Sequence, residues 1–287
     1  MWPFGHRKLG LALGSGSARG LAHVGVLKVL EEEGLAPDVV SGTSMGALVG
    51  ALWCAGTTPA RIEEIAGAFD MRSLMSLADV TIKGSAILSG EKVEEFLRKH
   101  LPATFEELRV PYACVSTDLA LGERVVHRSG DLVRAVRASL SVPVVLMPVH
   151  EGARILVDGF LTDPVPVELA RELGADVVIA VDVCGAGRLT TREGQDEPGG
   201  WLGDLRAALK GEGPRSRGIS GFEIAAATVE VMERQLALAS LAKADVVISP
   251  EVHEFAGYQF LSAARLIELG ETAARSGVSA MRRAAHR

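Results

Sequence analysis

Short apolar runs alternate with helically spaced apolar stripes along most of this chain. Lys8 to Leu13 reads as a strand, and Leu21, Val24, Leu27 and Leu30 then recur at helical spacing until Gly34. A second strand spans Val39–Ser41, followed by an apolar helix from Ser44 to Ala55. Thr58-Pro59 has the form of an N-cap with proline at the first helical position. Further helices are predicted at Glu91–His100, Asp131–Ser139 and Pro166–Leu173. Further strands are predicted at Val110–Thr117, Arg124–His127 and Arg154–Val157. Asp176–Val183 is a continuous apolar run, the pattern of a strand buried on both faces. A strong helix at Phe222–Ala242, a strand at Asp245–Ser249 and a closing helix at Ser262–Ala285 complete the pattern.

Strands alternating with helices predict one α/β domain of three layers, with a mostly parallel central sheet covered on both sides. The domain is expected to run from 8 to 274, with a basic helix end at 275–287. Composition shifts once, at about 185–221, where Gly, Pro, Ser and charge accumulate. That stretch reads as an insertion over one edge or mouth of the sheet. Within it, Trp201, Leu202, Leu205 and Leu209 carry helical spacing. They suit a short helix packed on the core, or a lid that touches a membrane.

At 287 residues and 48% hydrophobic, the chain can bury a sizeable core. A net charge of −6 gives no electrostatic reason to expect nucleic acid. Cys54, Cys114 and Cys184 lie far apart in apolar surroundings and read as core residues, with neither metal-ligand nor disulfide spacing. No secretory signal is evident, and no run of eighteen apolar residues offers a membrane span, so a cytoplasmic protein is expected.

Three segments carry candidate chemistry. In Gly42-Thr43-Ser44-Met45-Gly46 a serine stands between glycines, after a strand and before a helix. A turn this sharp exposes the hydroxyl, and the unpaired N–H groups of the helix start can meet an oxyanion. In Ile155-Leu156-Val157-Asp158-Gly159 a carboxylate ends a strand, 114 residues after the serine. If both strands are parallel members of one sheet, their carboxyl ends meet at the same edge. An aspartate opening a turn is the plainer alternative. The third segment, Gly14-Ser15-Gly16-Ser17-Ala18-Arg19-Gly20, again links a strand to a helix and presents N–H groups to an anion. That anion is the oxyanion of an ester under attack or the pyrophosphate of a dinucleotide, in which case Asp38 stands where a ribose-binding acid would. The glycine spacing departs from G-x-G-x-x-G. A cation at Arg19, in a first helical turn, opposes the macrodipole and implies a specific partner.

In order and spacing these segments resemble the patatin-like phospholipase family. The likeness extends to Gly20–Leu27, Val115–Leu119, Val136–Ser139 and Asp163–Val167, and covers roughly Leu9 to Ala274. The resemblance implies a Ser–Asp dyad without a catalytic histidine, with Ser44 as nucleophile and Asp158 as proton acceptor. It implies an oxyanion loop from Gly14, Gly16, Ser17, Arg19 and Gly20, joined by Met45, with Gly42 and Gly46 shaping the elbow and Gly159 flanking the acid. It also implies no metal and no organic cofactor, acyl esters of phospholipids or lysophospholipids as substrates, and transient contact with a membrane surface. Two departures stand out: Ser15 and Ser17 replace glycines found in many members, and Phe160 replaces a small residue after Asp158-Gly159.

Three other accounts remain open from sequence. A conventional triad would use His253, which follows both Ser44 and Asp158. A nucleotide-binding module would use Gly14–Gly20 and leave Ser44 a bystander. A scaffold would keep the fold and act through its surface.

Overall fold

The computed structural model describes residues 7–68, 90–184, 221–255 and 259–285. The expected insertion, with the Trp201, Leu202, Leu205 and Leu209 face, lies outside the described residues except for Gly221. The strands are β1 (Leu9–Leu13), β2 (Val39–Thr43), β3 (Tyr112–Asp118), β4 (Glu123–His127), β5 (Val149–Glu151), β6 (Arg154–Asp158), β7 (Val177–Val181) and β8 (Val246–Ile248). The α-helices are α1 (Ala22–Glu32), α2 (Met45–Cys54), α3 (Pro59–Gly67), α4 (Glu91–His100), α5 (Leu132–Ser139), α6 (Val167–Glu172), α7 (Gly221–Leu241) and α8 (Ala263–Ala285).

The sheet order is β5-β6-β3-β2-β1-β7-β8, with β4 also paired to β3. β3, β2, β1, β7 and β8 are mutually parallel. Alternation sorts β1 between two cores: Leu9, Leu11 and Leu13 join one apolar cluster with α1, α2 and α8, while Ala12 joins another with α6 and α7. Helices therefore cover both faces, as two-sided burial of a parallel sheet requires. α1 and α8 pack closely enough that a Cβ on Gly25 would strike the Ile267 carbonyl, and one on Gly270 the Ala22 carbonyl.

The antiparallel margin changes one expectation. β6 does not run parallel to β2; it pairs antiparallel with β3, and β5 with β6. β2 pairs with Tyr112–Val115 and β6 with Ser116–Asp118. β4 pairs with Cys114–Asp118, which overlaps both, so β4 holds one edge of β3 and β2 and β6 share the other. β2 and β6 run toward each other along that edge, and their carboxyl ends, Thr43 and Asp158, stand opposite the consecutive residues Val115 and Ser116. Head-on meeting, not parallel alignment, brings the two motifs together. β5 is too short and polar to have been visible as a periodic run.

Before α1, Ser17–Leu21 forms a 3-10 turn, so the first helical turn expected around Arg19 is 3-10 rather than α. Thr58 caps α3 as expected, its hydroxyl accepting from the Arg61 N–H.

Candidate active site

At the β2–α2 junction Ser44 adopts φ 56° and ψ −122°, a conformation that L-residues rarely occupy. Its glycine neighbours permit this bend. A Cβ on Gly42 would run into the Gly46 backbone, and one on Gly46 into the Leu13 carbonyl, so α2 can sit against β1 and β2 only with both side chains absent. The turn is also held from outside: the Ser44 N–H donates to Ser139 Oγ at 2.9 Å, from the end of α5.

The Ser44 hydroxyl donates to Asp158 Oδ2 at 2.6 Å. Asp158 Oδ1 accepts from the Phe160 N–H at 3.0 Å, and the Asp158 N–H donates to the Ser141 carbonyl at 2.9 Å. The carboxylate is fully buried, and burial pushes its pKa up to about 8 against the opposing pull of the Ser44 and Phe160 hydrogen bonds. A serine proton aimed at a carboxylate of near-neutral pKa can pass to it. The Phe160 departure leaves this contact intact, because the bond uses its backbone.

Ser141 is itself fixed by Arg137, whose Nη1 donates to Ser141 Oγ at 2.6 Å and whose Nη2 donates to the Met147 carbonyl at 2.9 Å. Burial lowers the Arg137 pKa to about 10. A buried cation thus braces the segment from which Asp158 hangs.

The glycine-rich loop continues from β1, the strand beside β2, and touches the elbow at Gly46 and Met45. Several of its N–H groups are occupied: Gly14 donates to the Val181 carbonyl at 3.1 Å, Ser15 to the Pro164 carbonyl at 2.8 Å and Arg19 to the Gly16 carbonyl at 3.0 Å. The Gly14 N–H is thus engaged with β7, and Gly14 belongs to the loop without offering it a free N–H. Among the described residues, the N–H groups of Gly16, Ser17 and Met45 have no hydrogen-bond partner. Gly20 lies against the Met45 side chain, joining the loop to the start of α2. Gly159 opens a 3-10 turn, Gly159–Leu161, directly after the acid. Arg19 is buried in the loop, where its Nε donates to the Gly16 carbonyl at 3.4 Å and its Nη2 lies 3.8 Å from Glu230 of α7. The partner implied by its awkward place in a first turn is thus acidic α7.

No described histidine hydrogen-bonds to Ser44 or Asp158. His23 is buried with a pKa lowered to about 4 by burial. Its Nε2–H donates to the Gly14 carbonyl at 2.7 Å, so it buttresses the loop. His127 bonds to Ser116, and His150 is exposed. His253 is exposed beyond β8, an edge strand three positions from β2, or about 14 Å at the usual strand spacing. Asp38 accepts from the Leu9 N–H at 2.7 Å, at the amino ends of the strands, so it is not placed as a ribose-binding acid at their carboxyl ends. Cys54, Cys114 and Cys184 are buried free thiols. Among the described residues no cluster of His, Cys, Asp or Glu could hold a metal ion, and no helix is long and apolar enough to cross a membrane.

Sequence reasoning gave no task to Arg137 and Ser139, noted only within the Val136–Ser139 likeness, nor to Ser141 or the buried Glu233 of α7. None lies in a motif that names its task; Ser139 and Glu233 act through contacts 95 and 218 residues away, and Arg137 through a bond to Ser141 that no pattern of apolar spacing marks. Glu233 gave no signal either, because the large apolar side chains of α7, such as Val231, Met232 and Leu238, lie mostly on the opposite, exposed side.

Residues 11–171 match the family model described as patatin-like phospholipase. An NTE family protein of Mycobacterium tuberculosis is 38% identical over 183 residues, covering 62% of this chain and 50% of that one. A patatin-like phospholipase domain-containing protein of Caenorhabditis elegans is 34% identical over 272 residues, 91% of this chain and 20% of that one. The chain thus spans half or less of the length of these relatives. Among solved structures, VipD from Legionella pneumophila superposes with a TM-score of 0.50 at 13% identity, over 96% of this chain and 67% of that one, a likeness of fold.

Proposed function

The chain belongs to the patatin-like phospholipase family, and from that premise we propose that it is a serine acyl-ester hydrolase working through a Ser44–Asp158 dyad. Its substrates are acyl esters of phospholipids, lysophospholipids or related lipids, met at a membrane surface. The 2.6 Å hydrogen bond from Ser44 Oγ to Asp158 Oδ2 carries the reading.

Ser44 Oγ attacks the acyl carbonyl as its proton moves to Asp158. The carbonyl oxygen gains the negative charge and is received by the N–H groups of Gly16, Ser17 and Met45, a stabilisation realised in the transition state. Collapse expels the alcohol, which takes the proton from Asp158 and leaves an acyl-serine. Water then gives a proton to Asp158, attacks the acyl carbon and releases the carboxylic acid as Ser44 is reprotonated. Arg19 and His23 hold the loop and stay out of proton transfer.

The test is p-nitrophenyl butyrate hydrolysis by folded wild type, Ser44→Ala, Asp158→Asn and His253→Ala. Turnover should fall by about 10³–10⁴-fold or more in the first two, the scale of disabling such machinery. His253→Ala should stay within about two- to threefold of wild type, since an exposed group distant from Ser44 contributes nothing to transition-state stabilisation. A loss in His253→Ala as large as in Ser44→Ala would overturn the dyad. Wild type inert on this ester and on a lysophospholipid panel would overturn the hydrolase.

A further inference from the structure

The described side chains of α7 that are buried, Glu233, Ala237 and Leu241, recur every four residues on one stripe. Ala237 and Leu241 pack into the apolar core with Val165, Val167 and Val178, as such a stripe should. Glu233 puts a carboxylate where the pattern calls for another apolar side chain. Burying an acid is costly unless it is bonded, and here the bond comes from Ser15 Oγ of the glycine-rich loop. Ser15 immediately precedes the N–H groups of Gly16 and Ser17, and Ser17 holds φ 50°, which surrounding structure must maintain.

We infer that Glu233 is a positioning residue: by gripping Ser15 Oγ it fixes the loop so that the Gly16 and Ser17 N–H groups meet the oxyanion. This rests on the ester-hydrolase reading above. The serine at position 15 thereby gains a task that glycine could not perform, since glycine offers no hydroxyl to a second element. Among neighbouring charges the loop's Arg19 favours the charged acid, whereas Glu230 and Asp182 oppose it. Each of these two carboxylates has a cation of its own, Glu230 at 3.8 Å from Arg19 and Asp182, at the end of β7, at 2.6 Å from Arg234. Cys184 Sγ lies 3.7 Å from Ser15 Oγ. Burial raises the Glu233 pKa, and the charge of Glu233 in turn raises that of Asp158.

The oxyanion exists only beyond the ground state, so a loosened loop should lower kcat and leave KM nearly unchanged. The experiment compares wild type, Glu233→Ala, Glu233→Gln, Ser15→Ala and the Ser15→Ala/Glu233→Ala double variant. It reads p-nitrophenyl butyrate kinetics and hydrogen exchange at the Ser15 and Arg19 amides, both bonded in the structure. Glu233→Ala should lower kcat about 10- to 100-fold, with KM within about twofold, and speed exchange at both amides. Glu233→Gln should restore both readouts, because its amide oxygen accepts the same bond. The double variant should be no worse than Glu233→Ala alone. Should Glu233→Ala not fold, Ser15→Ala removes the same bond and carries the same expectations. Wild-type exchange in a folded Glu233→Ala or Ser15→Ala variant overturns the inference, as does a rise in KM with kcat intact, or losses that simply add. Exchange is read whether or not any ester is turned over. An inert wild type therefore counts against the hydrolase reading alone, and the exchange arm still decides the grip on the loop.

Discussion

Asp158 is a carboxylate held away from water, and the role proposed for it and its cost to stability have the same origin. Burial raises its pKa to about 8, so the base form accumulates only as pH climbs through that value. In the proposed mechanism kcat/KM should rise about tenfold per pH unit below 8 and level off above it, measurable with a soluble ester. The folded pKa lies above the ordinary carboxylate range, so folding favours the neutral acid. That stability is fully present below pH ~4 and is lost as pH rises through about 8. Asp158→Asn never ionises and should escape this loss. At pH 9 the variant should melt above wild type, by about 2–4 °C for each kcal/mol recovered, while near pH 4 the two should converge. A variant that melts lower at pH 9 would show that the native carboxylate is better solvated than its burial implies.

At the scale of the element, the site depends on two strands ending against each other and on the helix end that braces them. α5 closes on Ser139, which accepts the Ser44 N–H. Ser139→Ala strands a buried donor at a cost of about 1–3 kcal/mol and frees the strained elbow. Turnover should drop about tenfold or more, with a lower melting temperature and an unchanged fold by circular dichroism. Ser139→Thr, which retains the hydroxyl, should lose less. α7 shows how tertiary contacts can invert a helix. Its inward stripe carries Glu233, while Ile224, Val231, Met232 and Leu238 are exposed. A hydrophobicity pattern alone would turn this helix to face the other way.

Across the whole molecule, α8 ties the chain's end to its beginning. Lys28 of α1 bridges Glu63 of α3 at 2.6 Å and Glu271 of α8 at 2.8 Å, partly exposed pairs that contribute about 1 kcal/mol or less each. The close crossing of Gly25 and Gly270 matters more, since added methyl groups there meet backbone that cannot yield. Overpacking of this kind costs about 1–3 kcal/mol or more. Gly270→Ala should therefore lower the melting temperature by several degrees, and Lys28→Met by far less. A smaller effect from Gly270→Ala would show that the α1–α8 contact can adjust.

Much of the architecture was legible along the chain. Apolar runs such as Val177–Val181 must be buried on both faces, and glycines flanking Ser44 mark a backbone bend that side chains would block. These are local constraints of period and sterics, readable one segment at a time. The partnership of Ser44 with Asp158 was implied by the family resemblance, but not the way it is built. Only the folded sheet decides that β6 runs antiparallel and meets β2 along one edge of β3, because strand pairing is a choice among distant segments. The same holds for Ser139 beneath the elbow, His23 under Gly14, and Glu233 on Ser15. Each is a hydrogen bond between groups 9 to 218 residues apart. The acidity of Asp158 also belongs to the fold, since a carboxylate's pKa depends on the water that packing removes from it.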